Sequence, residues 1–180
     1  MQCKSFPSSQ RGLTLIEGCV TLAIVSILAG TAAPSFIESN KKRVLDGSVA
    51  EMATDLFLAR SEATAHQEGV RVSFHTVTTG SCMLIHTGAT ADCSCDSAGV
   101  AACVGGATLI KGNYYAQSRG VALAANVTSI RFDPTHGMAT PTGTIRLTTA
   151  SGQEVHHVVN ITGRVRSCSP SGSAKGYKAC

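Results

Sequence analysis

Residues Arg11–Pro34 read RGLTLIEGCVTLAIVSILAGTAAP. They open a predominantly apolar run, and the segment 18–37 carries no charge. That length suffices to cross the hydrocarbon core of a bilayer as a helix. One acid, Glu17, stands at the start of the run, where neither a secretory signal peptide nor a plain anchor is expected to carry a charge.

Cleavage ahead of the apolar run accounts for this charge. A conventional signal peptide is cut after its apolar stretch, whereas a cut after Gly12 removes a polar leader and makes Leu13 the new amino terminus. The residues Arg11–Glu17 resemble the processing site of type IV prepilins and type II secretion pseudopilins. The resemblance implies cleavage between Gly12 and Leu13 by a prepilin peptidase, followed by N-methylation of Leu13. The leucine at this position departs from the family, in which phenylalanine is most common there.

The same resemblance gives roles to Glu17 and Pro34. A charge deep in a bilayer costs on the order of 3 kcal/mol and is normally paired, and the new amine of a neighbouring subunit would neutralise Glu17 during filament assembly. The alternative is that Glu17 lies near the headgroups of a plain anchor. Pro34 falls where the family usually has a helix-kinking proline, so we expect a kink or a local break there.

The helix is predicted to continue beyond the membrane. Apolar residues alternate spacings of four and three along one stripe: Leu45, Val49, Met52, Leu56, Ala59 and Ala63. From residue 70 onward, alternating apolar and polar residues predict strands. Residues 87–106 are predicted to form a loop whose length indicates either a function or disulfide bracing. The prediction is an α+β, type IV pilin-like fold with a leader (1–12), a transmembrane and assembly helix (13–37), its continuation (38–66) and a β-rich domain (67–180). The helix packs on an antiparallel sheet.

Cysteines place the β-rich part in an oxidising compartment. Of the eight in the chain, six lie in this part: Cys82, Cys93, Cys95, Cys103, Cys168 and Cys180. An even set beyond a membrane segment favours disulfides, hence a single-pass inner-membrane protein with a periplasmic domain. Cys168 with Cys180 is the favoured pair because turn-forming residues separate them, while the pairing of the other four stays open. Metal binding ranks well below disulfide formation, since Cys93 and Cys95 are too close for the usual zinc spacing.

Four further segments narrow the resemblance: LARSEA (58–63), IRFDPTHG (130–137), TIRLTT (144–149) and ITGRVRSC (161–168). They resemble the GspH/FimT group of minor pilins and pseudopilins, and ITGRVRSC is more similar to the FimT-like type IV pilus branch. The resemblance implies a minor pilin that joins other major and minor pilins helix to helix, primes assembly near the pilus tip and reaches the cell surface. A type II secretion pseudopilin is the alternative.

The carboxyl-terminal arginines are the candidate binding residues. Arg164 and Arg166 project from the same side of an extended segment. Lys175 and Lys178 follow on a tail that the favoured disulfide would fold back beside them. Two guanidinium groups and two amines suit phosphates, and resemblance to FimT-like pilins implies sequence-independent DNA binding in natural transformation. The alternatives are a solvated strand edge that discourages pairing and a separate DNA-uptake module.

The sequence shows no catalytic constellation. Its histidines are scattered, and adjacent His156 and His157 face opposite sides of a predicted strand. Asp133 lies in a turn, where this residue type usually bonds its own backbone. Nucleophile motifs and phosphate loops are absent from the sequence. We therefore expect a structural and binding protein rather than an enzyme, with no cofactor or metal.

Overall fold

The computed structural model describes residues 14–180, with the side chains of residues 32–34 and 171 left out. The processing site predicted at Gly12 and Leu13 lies outside the described residues. The chain forms two compact units, one ending at Asn40 and one comprising Lys41–Cys180. A single helix, α1 (Leu15–His66), contributes to both. It continues without interruption through Pro34, so the local break expected there is not found.

The first part of α1 exposes its apolar side chains. The backbone amide of Glu17 donates to the Thr14 hydroxyl at 3.3 Å, which matches the first half of a capping box. Every large apolar side chain described between Leu15 and Ile37 is more than half exposed. By length and composition α1 is able to span a membrane, and it is the one such helix among residues 14–180. These side chains therefore need a lipid or protein environment that the isolated chain does not provide.

The second part of α1 carries the predicted apolar stripe, and the structure confirms it. All six stripe residues are at most 3% exposed. They form one core cluster with strand residues such as Val72, Ile130 and Leu147. Burial of this stripe against the sheets, rather than helix propensity, stabilises this part of α1.

Eleven strands follow α1 in the described part of the chain: β1 (Val70–Val77), β2 (Gly80–Thr87), β3 (Cys93–Cys95), β4 (Ala101–Cys103), β5 (Leu109–Ala116), β6 (Val121–Ala125), β7 (Ser129–Phe132), β8 (Ala139–Thr140), β9 (Gly143–Thr149), β10 (Glu154–Val159) and β11 (Val165–Cys168). They form a five-stranded sheet (β5-β2-β1-β7-β8), a four-stranded sheet (β11-β10-β9-β6) and a two-stranded ribbon (β3-β4). All strand pairs within them are antiparallel. The α+β class is confirmed, with two main sheets where one was expected.

The segment 87–106 is not a plain loop. It contains the β3-β4 ribbon, which a Cys93–Cys103 disulfide closes. A second disulfide joins Cys82 of β2 to Cys95 and so fixes the ribbon to the five-stranded sheet. The disulfide bracing expected for this segment is therefore present, whereas the ribbon was not predicted because three-residue strands are too short to show a periodic pattern.

One charged side chain of α1 is buried against β5. Asp55 is 1% exposed, and its carboxylate accepts a hydrogen bond from Lys111 Nζ at 2.6 Å and another from the Asn113 amide. Lys111 itself keeps 37% of its side chain exposed. Burial, together with Glu51 and Asp55, raises the pKa of the nearby Tyr115 hydroxyl. This polar cluster fixes how α1 meets β5, because a buried carboxylate is tolerated only with its partners in place.

His157 makes folding depend on pH. Its ring is fully buried on β10, where Nδ1 lies 3.0 Å from the Ser167 hydroxyl, and burial lowers its pKa from 6.5 to about 4. The folded state favours the neutral ring, so this stabilisation is complete above pH 6.5 and is lost as the pH falls toward 4. We expect a loss of up to about 3 kcal/mol, measured by urea unfolding at pH 7 and pH 4.5.

The matched variants are His157→Gln, which should lose less stability on acidification, and exposed His136→Gln, which should follow the wild type. Equal acid sensitivity of His157→Gln and the wild type would show that the buried ring is not the titrating group.

Candidate functional site

Arg164 leaves a tight turn at the start of β11. The backbone amide of Gly163 donates a hydrogen bond to the Asn160 carbonyl at 2.9 Å and so closes the turn. The Asn160 side-chain oxygen accepts a hydrogen bond from the backbone amide of Arg164, also at 2.9 Å. Gly163 has a φ of 72°, a left-handed conformation that favours glycine. The turn therefore sets the direction in which Arg164 and the following strand leave.

Three of the sequence segments meet beside this turn. A Cβ atom on Gly163 would overlap the Gly137 carbonyl and lie 3.2 Å from Nε of Arg60. Arg60 comes from LARSEA, Gly137 from IRFDPTHG and Gly163 from ITGRVRSC. Packing therefore links the three segments. The Arg60 side chain lies against the backbone at Gly137 and at Gly163, and these two backbone segments approach each other so closely that only glycine fits.

The structure brings Arg164 and Arg166 together. Both side chains are exposed, and with Val158 and Asn160 they line a shallow cavity of about 280 Å³. Val165, between them, points inward and packs against the core. Neither arginine forms an ion pair with another described residue. Two guanidinium groups without an ion-pair partner among the described residues have the chemistry to bind an anion with several oxygens.

Lys175 and Lys178 are exposed but do not line this cavity. Cys168 is joined to Cys180, and the Ser169 amide donates to the Lys178 carbonyl at 2.8 Å, so the tail does fold back. Its Tyr177 hydroxyl, however, donates to Asp46 of α1 at 3.1 Å. Burial and this neighbouring carboxylate raise the Tyr177 pKa to about 12.

The carboxyl-terminal tail and the turn at residues 160–164 contact α1 at different positions along the helix. Tyr177 contacts Asp46 and Gly163 approaches Arg60, and these two helix positions are about 21 Å apart at 1.5 Å per residue. The structure therefore brings together the two arginines of the predicted cluster and leaves the lysines outside their cavity.

A serine–histidine pair that the sequence did not reveal lies in the five-stranded sheet. The Ser73 hydroxyl is 2.7 Å from His86 Nε2, and His86 Nδ1 is 2.8 Å from the Thr87 carbonyl. Since a carbonyl only accepts, Nδ1 carries the proton and Nε2 accepts from the hydroxyl. Ser73 and His86 have no exposed surface, so the geometry of a nucleophile and base is present without access for a substrate. Residues 14–180 contain no group of three potential metal ligands.

Glu17 is the second candidate position. Its side chain is exposed one turn into α1, and it forms no ion pair with any residue that the structure describes. A carboxylate in the first turn also interacts favourably with the helix dipole, by about 0.3–1 kcal/mol. The structure therefore shows an exposed carboxylate that is placed to interact with the helix dipole.

Comparison with known families is consistent with this architecture. Residues 48–163, more than half of the chain, match the family described as type II transport protein GspH. No curated protein and no solved structure shows significant similarity to the chain. The matched region runs from the second part of α1 to Gly163, so it includes both sheets up to the turn at residues 160–164. The chain therefore belongs to the GspH family of pseudopilins and minor pilins, subunits that associate with other pilins in the filaments of type II secretion and type IV pilus systems.

Proposed function

We propose that this chain is a minor pilin of a type IV pilus, cut after Gly12 by a prepilin peptidase and assembled at or near the pilus tip, where it primes assembly. The observation that carries the proposal is the first part of α1, whose large apolar side chains are exposed behind an unpaired Glu17. Such a helix suits a membrane before assembly and a helix bundle afterwards. The motif Arg11–Glu17 supports processing directly ahead of it.

The disulfides support the proposed side of the membrane. Three bridges join the six cysteines of the β-rich part, and such bridges persist in oxidising compartments. The proposed location is the inner membrane with the β-rich part in the periplasm, and then the filament at the cell surface.

A type II secretion pseudopilin is the second candidate, favoured by the description of the matched family. Deleting the gene distinguishes the two. Loss of surface pili with normal secretion supports the pilus assignment, whereas loss of secreted enzymes with intact pili supports the secretion assignment. Complementation with the wild-type chain controls for effects on neighbouring genes.

We further propose that Arg164 and Arg166 bind the DNA backbone during uptake. Their exposure, their shared cavity and the lack of an ion pair with any described residue support this role. The competing role is protection of an edge, because β11 is the outer strand of its sheet. Edge protection requires charge on the strand but no affinity for DNA.

The Arg164→Gln/Arg166→Gln double variant tests this role. If each arginine neutralises one phosphate, the slope of log K against log salt falls by about 1.8 for a duplex. The measurement is a salt titration of fluorescence anisotropy with the chain in neutral nanodiscs. Unchanged affinity and slope would assign the arginines to edge protection.

A further inference from the structure

We infer that the DNA-binding surface extends from Arg164 and Arg166 to Arg146, so that a nucleic-acid backbone crosses the outer face of the four-stranded sheet. This inference rests on the proposed DNA-binding function and adds a third contact to it. Arg146 lies in TIRLTT on β9, and it is exposed with no ion pair to another described residue.

The strand register places Arg146 and Arg166 on the same face. Arg166 pairs with Val158, and Val158 pairs with Thr144 on β9. Paired residues point to the same side of a sheet, as do residues two apart on one strand. Arg146 therefore projects to the same side as Arg166. From strand spacing and rise, their Cα atoms are about 12 Å apart.

This face carries more basic than acidic side chains. Glu154 is the acid that the register places there, and its carboxylate is 2.6 Å from His156 Nε2 on the same strand. Glu154 thus contacts a neighbour on its own strand and forms no ion pair with an arginine, and the three arginines outnumber this one acid. Three guanidinium groups remain available, which is the electrostatic condition for binding a polyanion.

Short side chains surround Arg146 on this face. The outward residues of β6 and β9 beside it are Ala122, Ala124, Thr144 and Thr148, whereas β10, the strand between the arginines, presents His156 and Val158. A duplex presents one phosphate about every 3.4 Å along each strand, so a span of about 12 Å covers about three phosphates per strand. Contacts on this scale favour an extended backbone over a single small anion.

The test uses the full chain in neutral nanodiscs and a fluorescently labelled DNA duplex of mixed sequence. Removing one phosphate contact should lower the salt slope by about 0.9, which weakens binding roughly fivefold at about 0.15 M salt. We expect this result for Arg146→Gln. The matched control is Arg131→Gln, an exposed strand arginine in the other sheet, which should bind like the wild type.

Each outcome separates the inference from the function on which it rests. If Arg146→Gln and Arg131→Gln both bind like the wild type while Arg164→Gln/Arg166→Gln binds weakly, the extended face is wrong and DNA binding stands. If the double variant binds normally, the DNA-binding function itself fails. Weaker binding of Arg146→Gln to vesicles made of phosphatidylglycerol and phosphatidylcholine in equal parts, with unchanged DNA binding, would identify a lipid surface instead and overturn the inference.

Discussion

Replacing Glu17 with glutamine is expected to leave the chain in the membrane but to lower its incorporation into filaments about tenfold or more. An unpaired charge in an apolar environment costs on the order of 3 kcal/mol, and a neighbouring amine that pairs with it recovers this energy only in the assembled filament. Glutamine removes the charge, so assembly loses this gain while insertion becomes easier.

Glutamine is chosen because it separates the two roles of Glu17. A Thr-x-x-Gln sequence still satisfies a capping box, so helix initiation at Thr14 is preserved. The matched control is Glu38→Gln, a second exposed carboxylate on α1 that follows the apolar run. Immunoblots of the membrane fraction and of the sheared-filament fraction measure membrane insertion and filament incorporation, respectively. Normal filament incorporation of Glu17→Gln would show that Glu17 serves the helix terminus alone.

Replacing Lys111 with methionine is expected to destabilise the β-rich part by about 3 kcal/mol. Removing one partner of a buried ion pair costs about 3–5 kcal/mol because the other charge stays buried without compensation. Here the stranded group is Asp55, which is 1% exposed, whereas Lys111 is partly solvated. The lower end of the range applies because Asn113 still donates to the carboxylate.

The asymmetry of this pair gives a sharper comparison. Asp55→Asn should cost less, about 1–2 kcal/mol, because it leaves a lysine that can turn toward water. Combining Asp55→Asn with Lys111→Met should restore part of the stability lost in Lys111→Met. Exposed Lys175→Met is the control and should stay within about 0.5 kcal/mol of the wild type. Equal losses in Lys111→Met and Lys175→Met, measured by urea unfolding, would contradict the account.

The secondary structure of the periodic segments was predictable because the spacing of apolar residues indicates which face of a helix or strand is buried. The stripe on α1 and the alternation in β9 each point to one buried face, and the structure confirms both. In β1 and β7 the predicted apolar face is largely buried, but Ser73 and Ser129 on the other face are buried as well. The division into two sheets was not predictable in the same way. Strand β6 is short and alanine-rich, and it pairs with β9 across the intervening β7 and β8, so its place depends on contacts that no local window contains.

The candidate site likewise has a part that the sequence predicts and a part that depends on the fold. The closeness of Arg164 and Arg166 was predictable from the sequence because the two residues flank Val165. Arg146 was not, since its place on the same face follows from the register of β9, β10 and β11. The expected position of Lys175 and Lys178 depended on the path of the tail, which the contact between Tyr177 and Asp46 determines.

The most direct test of the central claim is the intact mass of the membrane-bound chain after co-expression with a prepilin peptidase. We expect a mature wild-type chain that begins at Leu13 and carries one added methyl group, and a Gly12→Val chain that retains the leader. A wild-type chain that keeps its leader, or a Gly12→Val chain cut at Leu13, would contradict the assignment of this protein as a processed pilin.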